Sequence, residues 1–409
     1  VKLLIFTYAP AGLGHLRVTD AFVDSRPKQY PYLLLGSYDK FITSMHRFTS
    51  VNPIAKWIFT VSQYGLLEDI VTSVYRTILV KTADRMYSDF KEVLLRKKGI
   101  NEVWVVATHF GMAHQIGAIK DRLMKETGIK IRLVVQVTDD TSQHIWCVRG
   151  ADLTFVPSLD TKINLGVYSK KKRMNLEYEV IPYPICPALT NSIDPSKGDR
   201  QSAFLSGTKK INIAVPISGA SVGLPFTVSL IKSMLDKSNR FKFWIIAKKT
   251  IYSDMYLSTL SKFQNVHLIT GRNDNEMISL YELLYQNNLI HAEITKPSEQ
   301  SFKAILPPTL EGGSLMLFTA SVGRQEDDNI SFLIRHGLIS NEKGVVPRGI
   351  RLPKDAKMAA DFIFWGLNSG LFSKMSDPKF KFSEESIESG EVGPDGAKKF
   401  WEILDKRFS

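Results

Sequence analysis

The sequence predicts an α/β protein of two successive domains, and three observations carry that reading. Residues 2–8, KLLIFTY, form a short apolar run that turns through Pro10-Ala11-Gly12-Leu13-Gly14-His15 into a stretch with Val18, Ala21 and Phe22 at helical spacing. The same theme restarts at Ile211, where INIAVPI meets the loop Ser218-Gly219-Ala220-Ser221-Val222-Gly223 and then a helix over about 225–235. The third observation is the stretch 294–337. A short strand over 293–295 runs into Lys296-Pro297, and a polar turn then opens a helix. The buried strand Leu315–Phe318 follows, and a glycine turn at Gly323 opens another helix carrying Ile330, Leu333 and Ile334.

The remaining elements follow in order. Residues 32–35 are a second strand candidate. Residues 43–79 read as long and mostly helical, rich in aromatics at Phe48, Trp57, Phe59, Tyr64 and Tyr75. A helix over 81–96 precedes the strand Glu102–Ala107, which ends in Thr108-His109-Phe110 before another helix. The strand 130–137 runs into Thr138-Asp139-Asp140, and 153–156 and 178–181 complete a parallel sheet. Residues 187–209 are polar and turn-rich, which predicts a linker. In the second half, strands at 241–247 and 266–269 alternate with helices near 252–263, 274–286 and 356–371. Residues 384–396 read as a loose acidic segment and 397–408 as an amphipathic helix. The domains are therefore 1–186 and 210–385, joined by 187–209 and followed by 386–409.

With 409 residues, 44% hydrophobic and 23% charged, the chain is long enough for substantial cores and has a globular composition. No apolar run approaches the roughly 18–20 residues of a membrane span, and none reads as a signal peptide. Cys147 and Cys186 both sit in apolar contexts, which argues against a disulfide framework and for a reducing compartment. Of the formal charge of +12, residues 1–186 hold +8, with dense runs at Arg96-Lys97-Lys98 and at Lys170-Lys171-Lys172-Arg173. Such a half suits an anionic lipid surface or nucleic acid, and a solvated face is the other reading of each run. No nucleic-acid motif accompanies the charge, so no nucleic-acid partner is expected. The aromatic stretch reads either as a core helix pair or as an interfacial face around Trp57, Ile58 and Phe59, flanked by Arg47, Lys56 and Arg76.

Helix N-termini at the ends of neighbouring parallel strands favour a phosphate, and Gln325, Glu326, Asp328 and Asn329 suit sugar hydroxyls. His15, His109 and Asp139 all fall at strand ends of the first domain. A histidine there can take a proton from a hydroxyl near neutral pH. Each signal has a structural alternative: generic strand–helix turns for the glycines, a helix cap for Asp139, and packing for His144 and Trp146.

Taken together, the blocks Gly12-x-Gly14-His15, Thr108-His109, Val137-Thr138-Asp139-x4-His144-x-Trp146 with Val156-Pro157-Ser158, Ser218-Gly219-x3-Gly223, and Lys296-Pro297 with Gly323, Gln325, Glu326 and Asn329 resemble the GT-B glycosyltransferases of family 28. The nearest resemblance is to monogalactosyldiacylglycerol synthases and processive diacylglycerol glucosyltransferases. It implies an α/β GT-B fold, two Rossmann-like domains facing a central cleft. It also implies an inverting, metal-independent transfer of a sugar from a nucleotide diphosphosugar, UDP-linked, to a lipid or lipid-linked acceptor such as diacylglycerol. On this resemblance His15, Asp139 and His109 are catalytic, with the base left between His15 and Asp139. The donor falls to Gly219, Ser221, Gly223, Lys296, Ser298, Glu299, Gly323, Gln325, Glu326 and Asn329. Gly12, Gly14, His144 and Trp146 line the acceptor side. The partners implied are the nucleotide sugar, a lipid acceptor and an anionic membrane surface, for a cytoplasmic, peripherally attached protein with no further cofactor.

The sequence departs from the family pattern at one block. Ser298-Glu299 stand where the family has two glycines, and Ala304 falls where it has a ribose-binding glutamate, a role open here to Glu299 or Glu311. The alternatives are a catalytically weakened GT-B protein that binds a ligand or membrane, and a UDP-sugar epimerase of the same fold.

Overall fold

A computed structural model describes residues 2–8, 13–36, 63–97, 99–217, 223–251, 253–339 and 346–408. The chain divides into two compact units. One comprises Val1–Ala11, His15–Pro184 and Asp395–Ser409, and the other Ile185–Pro394 with the short Gly12–Gly14 segment grouped with it.

The first unit is a six-stranded parallel sheet of β1 (Lys2–Tyr8), β2 (Tyr32–Gly36), β3 (Glu102–Ala107), β4 (Lys130–Gln136), β5 (Leu153–Val156) and β6 (Tyr178–Val180), in the spatial order β2-β1-β3-β4-β5-β6. Its central strands are covered on both faces, which is why runs such as EVWVVA are apolar throughout. On one face Leu3, Ile5, Val103, Val105, Leu133 and Val135 pack with Phe90 and Leu94 of the Ala83–Arg96 helix and Ile116 and Leu123 of the Phe110–Thr127 helix. On the other face Phe22 of the Leu13–Ser25 helix stacks on Phe400 at 3.9 Å, and Trp401 Nε1 donates to the Phe22 carbonyl at 3.1 Å.

The final helix, Gly396–Phe408, is thus a structural layer of the first unit. Its amphipathic pattern was legible in sequence, but its destination was not. It enters so close to Pro182 that a Cβ on Gly396 would fall 2.0 Å from the Pro182 carbonyl oxygen.

The second unit repeats the plan with β7 (Ile211–Pro216), β8 (Phe241–Ile246), β9 (Val266–Ile269), β10 (Ala292–Thr295), β11 (Leu315–Phe318) and β12 (Gly349–Arg351), ordered β12-β11-β10-β7-β8-β9 and parallel throughout. Ile213, Val215, Phe243, Ile245, Ile294 and Leu317 form one core face with the Leu224–Lys237 and Ala356–Asn368 helices.

Two segments are more ordered than their composition predicts. The 187–209 stretch, expected to be a linker, is anchored on the second unit. Buried Arg200 donates to the carbonyls of Ile290 at 2.6 Å, Leu310 at 2.8 Å and Glu311 at 2.6 Å, satisfying acceptors that burial would otherwise leave unpaired. The 384–396 stretch, expected to be loose, contains the helix Glu384–Glu388. It is held by buried His336, whose Nδ1 lies 2.9 Å from Ser386 Oγ and whose Nε2 lies 2.8 Å from Glu391 Oε2. Of the long aromatic stretch, 37–62 lies outside the described residues, and Arg47, Phe48, Lys56, Trp57 and Phe59 with it. The described part is the helix Gly65–Lys81. Among the described residues no helix is long and apolar enough to cross a membrane.

Candidate functional site

In an open parallel sheet a ligand crevice forms at the carboxyl ends of two adjacent strands whose connections leave in opposite directions. In the second unit that point lies between β7 and β10. Gly219 and Ser221, on the loop after β7, are outside the described residues. Gly223 closes that loop in the left-handed region, φ +85°, and caps the Leu224–Lys237 helix. Lys296, just past β10, brings its Cε to 3.9 Å from the position of a Gly223 Cβ, so Gly223 and Lys296 meet where the strand order places the crevice.

Ser298 then caps a 3₁₀ helix, Glu299–Ile305, and both Ser298 and Glu299 are half-exposed. From the next strand over, Gly323 caps the Arg324–Arg335 helix, and half-buried Glu326 turns back so that its Oε2 accepts from the Val322 N–H at 2.5 Å. Burial raises the Glu326 carboxyl above its ordinary range, Glu299 and Asp327 adding to the shift, while Lys296 and the Val322 N–H oppose it. Lys296, Glu299 and Glu326 thus form one electrostatic cluster. Gln325, half-buried, stands beside it on the first turn of the helix.

The first unit has its own such point between β1 and β3. Gly12 is outside the described residues, and Gly14 is buried in the first turn of the Leu13–Ser25 helix. A set of threonines fixes His15. Thr19 Oγ1 donates to the His15 carbonyl at 2.9 Å, Thr108 Oγ1 reaches the same oxygen at 3.1 Å, and the two hydroxyls are 2.9 Å apart. The His15 ring has Nδ1 at 3.0 Å from Thr138 Oγ1 and stands edge-on to His109, with centroids 5.2 Å apart. His109 caps the Phe110–Thr127 helix. Its Nδ1 accepts from the Gly111 N–H at 3.2 Å, which puts the proton of the neutral ring on Nε2. Asp139, beside Thr138 in sequence, is 3% exposed. The ends of β1, β3 and β4 therefore converge on one histidine pair.

No family model and no curated protein matches the chain at the level of sequence. Solved structures do match over its full length. The Staphylococcus aureus MnaA–UDP complex gives a TM-score of 0.51 at 12% identity, covering 100% of this chain and 97% of that one. A putative UDP-N-acetylglucosamine 2-epimerase from Listeria monocytogenes gives 0.53 at 10%, covering 100% and 97%. Acinetobacter baumannii MurG gives 0.51 at 10%, covering 99% of each chain. The chain has the GT-B fold. At these identities the likeness speaks for the fold alone, and the site must be argued from its own residues.

Several expected GT-B site residues are put to other uses. Trp146 is fully buried, edge-on to Phe110 at 5.5 Å, and is a core residue with no surface to offer an acceptor. His144 stacks on Tyr168 at 3.7 Å, with Nδ1 2.8 Å from Asp69 Oδ1, and its backbone N–H donates to Glu68 at 2.7 Å. It joins the Gly65–Lys81 and Leu159–Lys171 helices. Asn329 is fully buried and donates to the Pro297 carbonyl at 3.1 Å, tying two site loops together where a ligand contact was expected. Glu311 is paired with Lys197 at 2.5 Å, which removes it as a ribose ligand, and Ala304 is buried in the core. The polar turn at Ser298 opens a 3₁₀ helix where the sequence predicted an ordinary helix. Asp140 accepts from Ser158 and, at 2.8 Å, from Thr161 Oγ1, so the Val156-Pro157-Ser158 block is a helix cap.

The sequence marks Thr108 and Thr138 only as members of motif blocks, with no role of their own, and assigns no role to Thr19. A threonine just past each of two buried strands was the available signal.

Proposed function

We propose that this chain is an inverting glycosyltransferase that takes a sugar from a nucleotide diphosphosugar, UDP-linked, and passes it to a lipid or lipid-linked acceptor such as diacylglycerol. The observation that carries the reading is the crevice between β7 and β10, where Lys296, the Gly223 loop and the first turn of the Arg324–Arg335 helix converge. The matched GT-B structures include a UDP complex, which fits a nucleoside diphosphate at this point.

In this reading Lys296 and its neighbours bind the donor, and His15 or Asp139 is the base. His15 or Asp139 removes the acceptor hydroxyl proton, and the oxygen attacks the anomeric carbon from the face opposite the diphosphate. The C–O bond to the diphosphate breaks and UDP leaves. Lys296 and the helix N-termini supply positive potential where charge accumulates on the leaving group, so the proposal includes no metal. For His15 to act through Nε2, its Nδ1–H must donate to Thr138 Oγ1.

Support for a lipid acceptor, and for peripheral attachment to an anionic membrane, comes from an exposed apolar stripe. Leu67, Ile70, Val71, Val74 and Ile78 lie on one side of the Gly65–Lys81 helix, and Leu159, Ile163 and Val167 lie on the Leu159–Lys171 helix. The two helices are joined by Arg76 to Tyr168 and Lys172 to Asp69, and the exposed Lys170, Lys171 and Arg173 follow directly. Apolar side chains beside exposed cations fit an anionic bilayer.

One observation favours the binding-protein alternative: half-exposed Glu299 adds negative charge beside Lys296, where the diphosphate would lie. Calorimetric titration with UDP and UDP-sugars, followed by transfer assays on diacylglycerol, decides between them. Micromolar binding with transfer supports the enzyme. Absence of binding at millimolar UDP-sugar, with binding gained on changing Ser298 and Glu299 to Gly, would replace it with the alternative.

A further inference from the structure

The least expected residue in the second unit is Glu293. It occupies the middle of β10 and is fully buried, on the face opposite Ala292 and Ile294. A lone buried carboxylate is strongly disfavoured, so its surroundings must compensate for lost water. They do so on one oxygen. Oε2 accepts from Tyr281 Oη at 2.7 Å, Tyr285 Oη at 2.5 Å and Lys303 Nζ at 2.9 Å, while Oε1 meets no hydrogen-bond partner among the described residues. Lys303 is itself buried. Its Nζ also donates to Tyr281 Oη at 2.7 Å and lies 3.7 Å from the centre of the Tyr285 ring. Gln300 Nε2 donates to the same Tyr281 hydroxyl.

Gln300 and Lys303 are three residues apart on the 3₁₀ helix Glu299–Ile305. At three residues per turn, positions i and i+3 eclipse, so both side chains point at one partner. In an α-helix the pair would stand about 60° apart around the axis, still on one face, so the eclipsed 3₁₀ spacing tightens their convergence. The segment begins immediately after Lys296-Pro297-Ser298. The loop at the crevice is held at two points, by Asn329 at the Pro297 carbonyl and by Lys303 at Glu293. A buried ion pair with one oxygen unsatisfied is a poor device for stability, since apolar residues of similar volume often do as well. Its best-attested use is to specify geometry.

We propose that Glu293 and Lys303 are positioning residues of the donor site. They hold the 3₁₀ segment, and through it the Lys296–Glu299 loop, in the course that receives a nucleoside diphosphate. This rests on reading the crevice as a nucleoside diphosphate site, and the test separates the two ideas. Lys303→Met is compared with Lys197→Met, which breaks another, part-buried ion pair of this unit, Lys197–Glu311. The readouts are UDP affinity by calorimetry well below the melting temperature, and amide exchange over 298–306.

In Lys303→Met the UDP Kd should rise at least about tenfold, the equivalent of ~1.4 kcal/mol, and exchange over 298–306 should quicken. Lys197→Met should melt earlier with UDP Kd within about twofold of wild type. The double variant Glu293→Gln/Lys303→Met should regain melting temperature over the single variant yet keep the weak UDP binding. A Lys303→Met protein that melts early but binds UDP like wild type would overturn the proposal. If wild type binds no UDP, the donor-site reading fails, and exchange alone decides: quickening in Lys303→Met but not in Lys197→Met supports the anchor, and equal exchange overturns it. Should Lys303→Met not fold, Gln300→Ala keeps the ion pair and is judged by the same two readouts.

Discussion

Replacing Ile70, Val74 and Ile78 together by Ser tests the membrane surface directly. These side chains keep 59%, 56% and 51% of their area exposed, so the fold already does without roughly half of what each could bury. Full burial of such a side chain is worth ~1.5–3 kcal/mol, so entry of the exposed half into a bilayer interface contributes ~1 kcal/mol each and ~3 kcal/mol together. At ~1.4 kcal/mol per tenfold, the triple variant should partition to anionic vesicles roughly 100-fold more weakly. The half of each side chain that is already buried is lost too, so melting should fall, and vesicle binding is measured well below the melting temperature. Leu79→Ser, at a position 4% exposed on the same helix, should destabilise the fold without weakening vesicle binding of the folded protein.

The electrostatic half is tested with Lys170, Lys171 and Arg173 changed to Gln. Each basic residue near an anionic surface is worth ~1 kcal/mol. Their loss should therefore matter on anionic vesicles at low salt and fade as salt shortens the screening length to below ~8 Å. Co-sedimentation gives all three measurements. Equal wild-type binding to neutral and anionic vesicles would remove the charge argument. A triple Ser variant that sediments like wild type would remove the apolar one.

The remaining predictions concern the catalytic pair and pH. Changing His15 to Ala should leave UDP binding intact and lower transfer by roughly 10²–10⁴ if His15 is the base, whereas Asp139→Asn should then have the smaller effect. Thr138→Val removes the partner of His15 Nδ1, worth ~0.5–1.5 kcal/mol, and should cost up to about tenfold in kcat with donor KM unchanged. Gly111→Ala should disturb His109, because a Cβ there would fall 2.9 Å from its Cε1. His109 ring resonances unchanged in the NMR spectrum of the variant would refute that placement.

Acid should weaken both units below neutrality. Burial holds His114 and His291 down to about 4, with the Ile145 carbonyl opposing the shift at His114 and Arg200 adding to it at His291. Groups with depressed histidine values bind more protons when unfolded. Their stabilisation is thus complete above the unfolded value near 6.5 and is lost as pH falls toward 4, about 3 kcal/mol for each. Urea unfolding at pH 7 and pH 4.5 should show the loss, and His114→Gln should reduce it in the first unit.

Much of the plan was written in local pattern. Apolar runs such as KLLIFTY, EVWVVA and INIAVPI are strands because a parallel sheet covered on both faces needs uninterrupted hydrophobic residues. The turns at Gly223 and Gly323 open helices as their residues predicted, whereas Gly14 and His15, read as turn residues, already lie in the first turn of the Leu13–Ser25 helix. Periodicity reports what a segment becomes, and those segments were right.

Periodicity cannot report where a segment goes. Strand order is a long-range property, and only the orders β2-β1-β3 and β11-β10-β7 place crevices at His15 and Lys296. The same limit hid the return of the Gly396–Phe408 helix to the first sheet, since an amphipathic stripe does not name the surface that covers it. It also exchanged the roles of residues that looked alike in sequence. Trp146 and Asn329 became interior, because packing decides whether a polar or aromatic residue faces solvent or core. Glu293 and Lys303 are ten positions apart and unremarkable in the sequence. They become a buried pair only when a strand and a 3₁₀ segment are folded against Tyr281 and Tyr285.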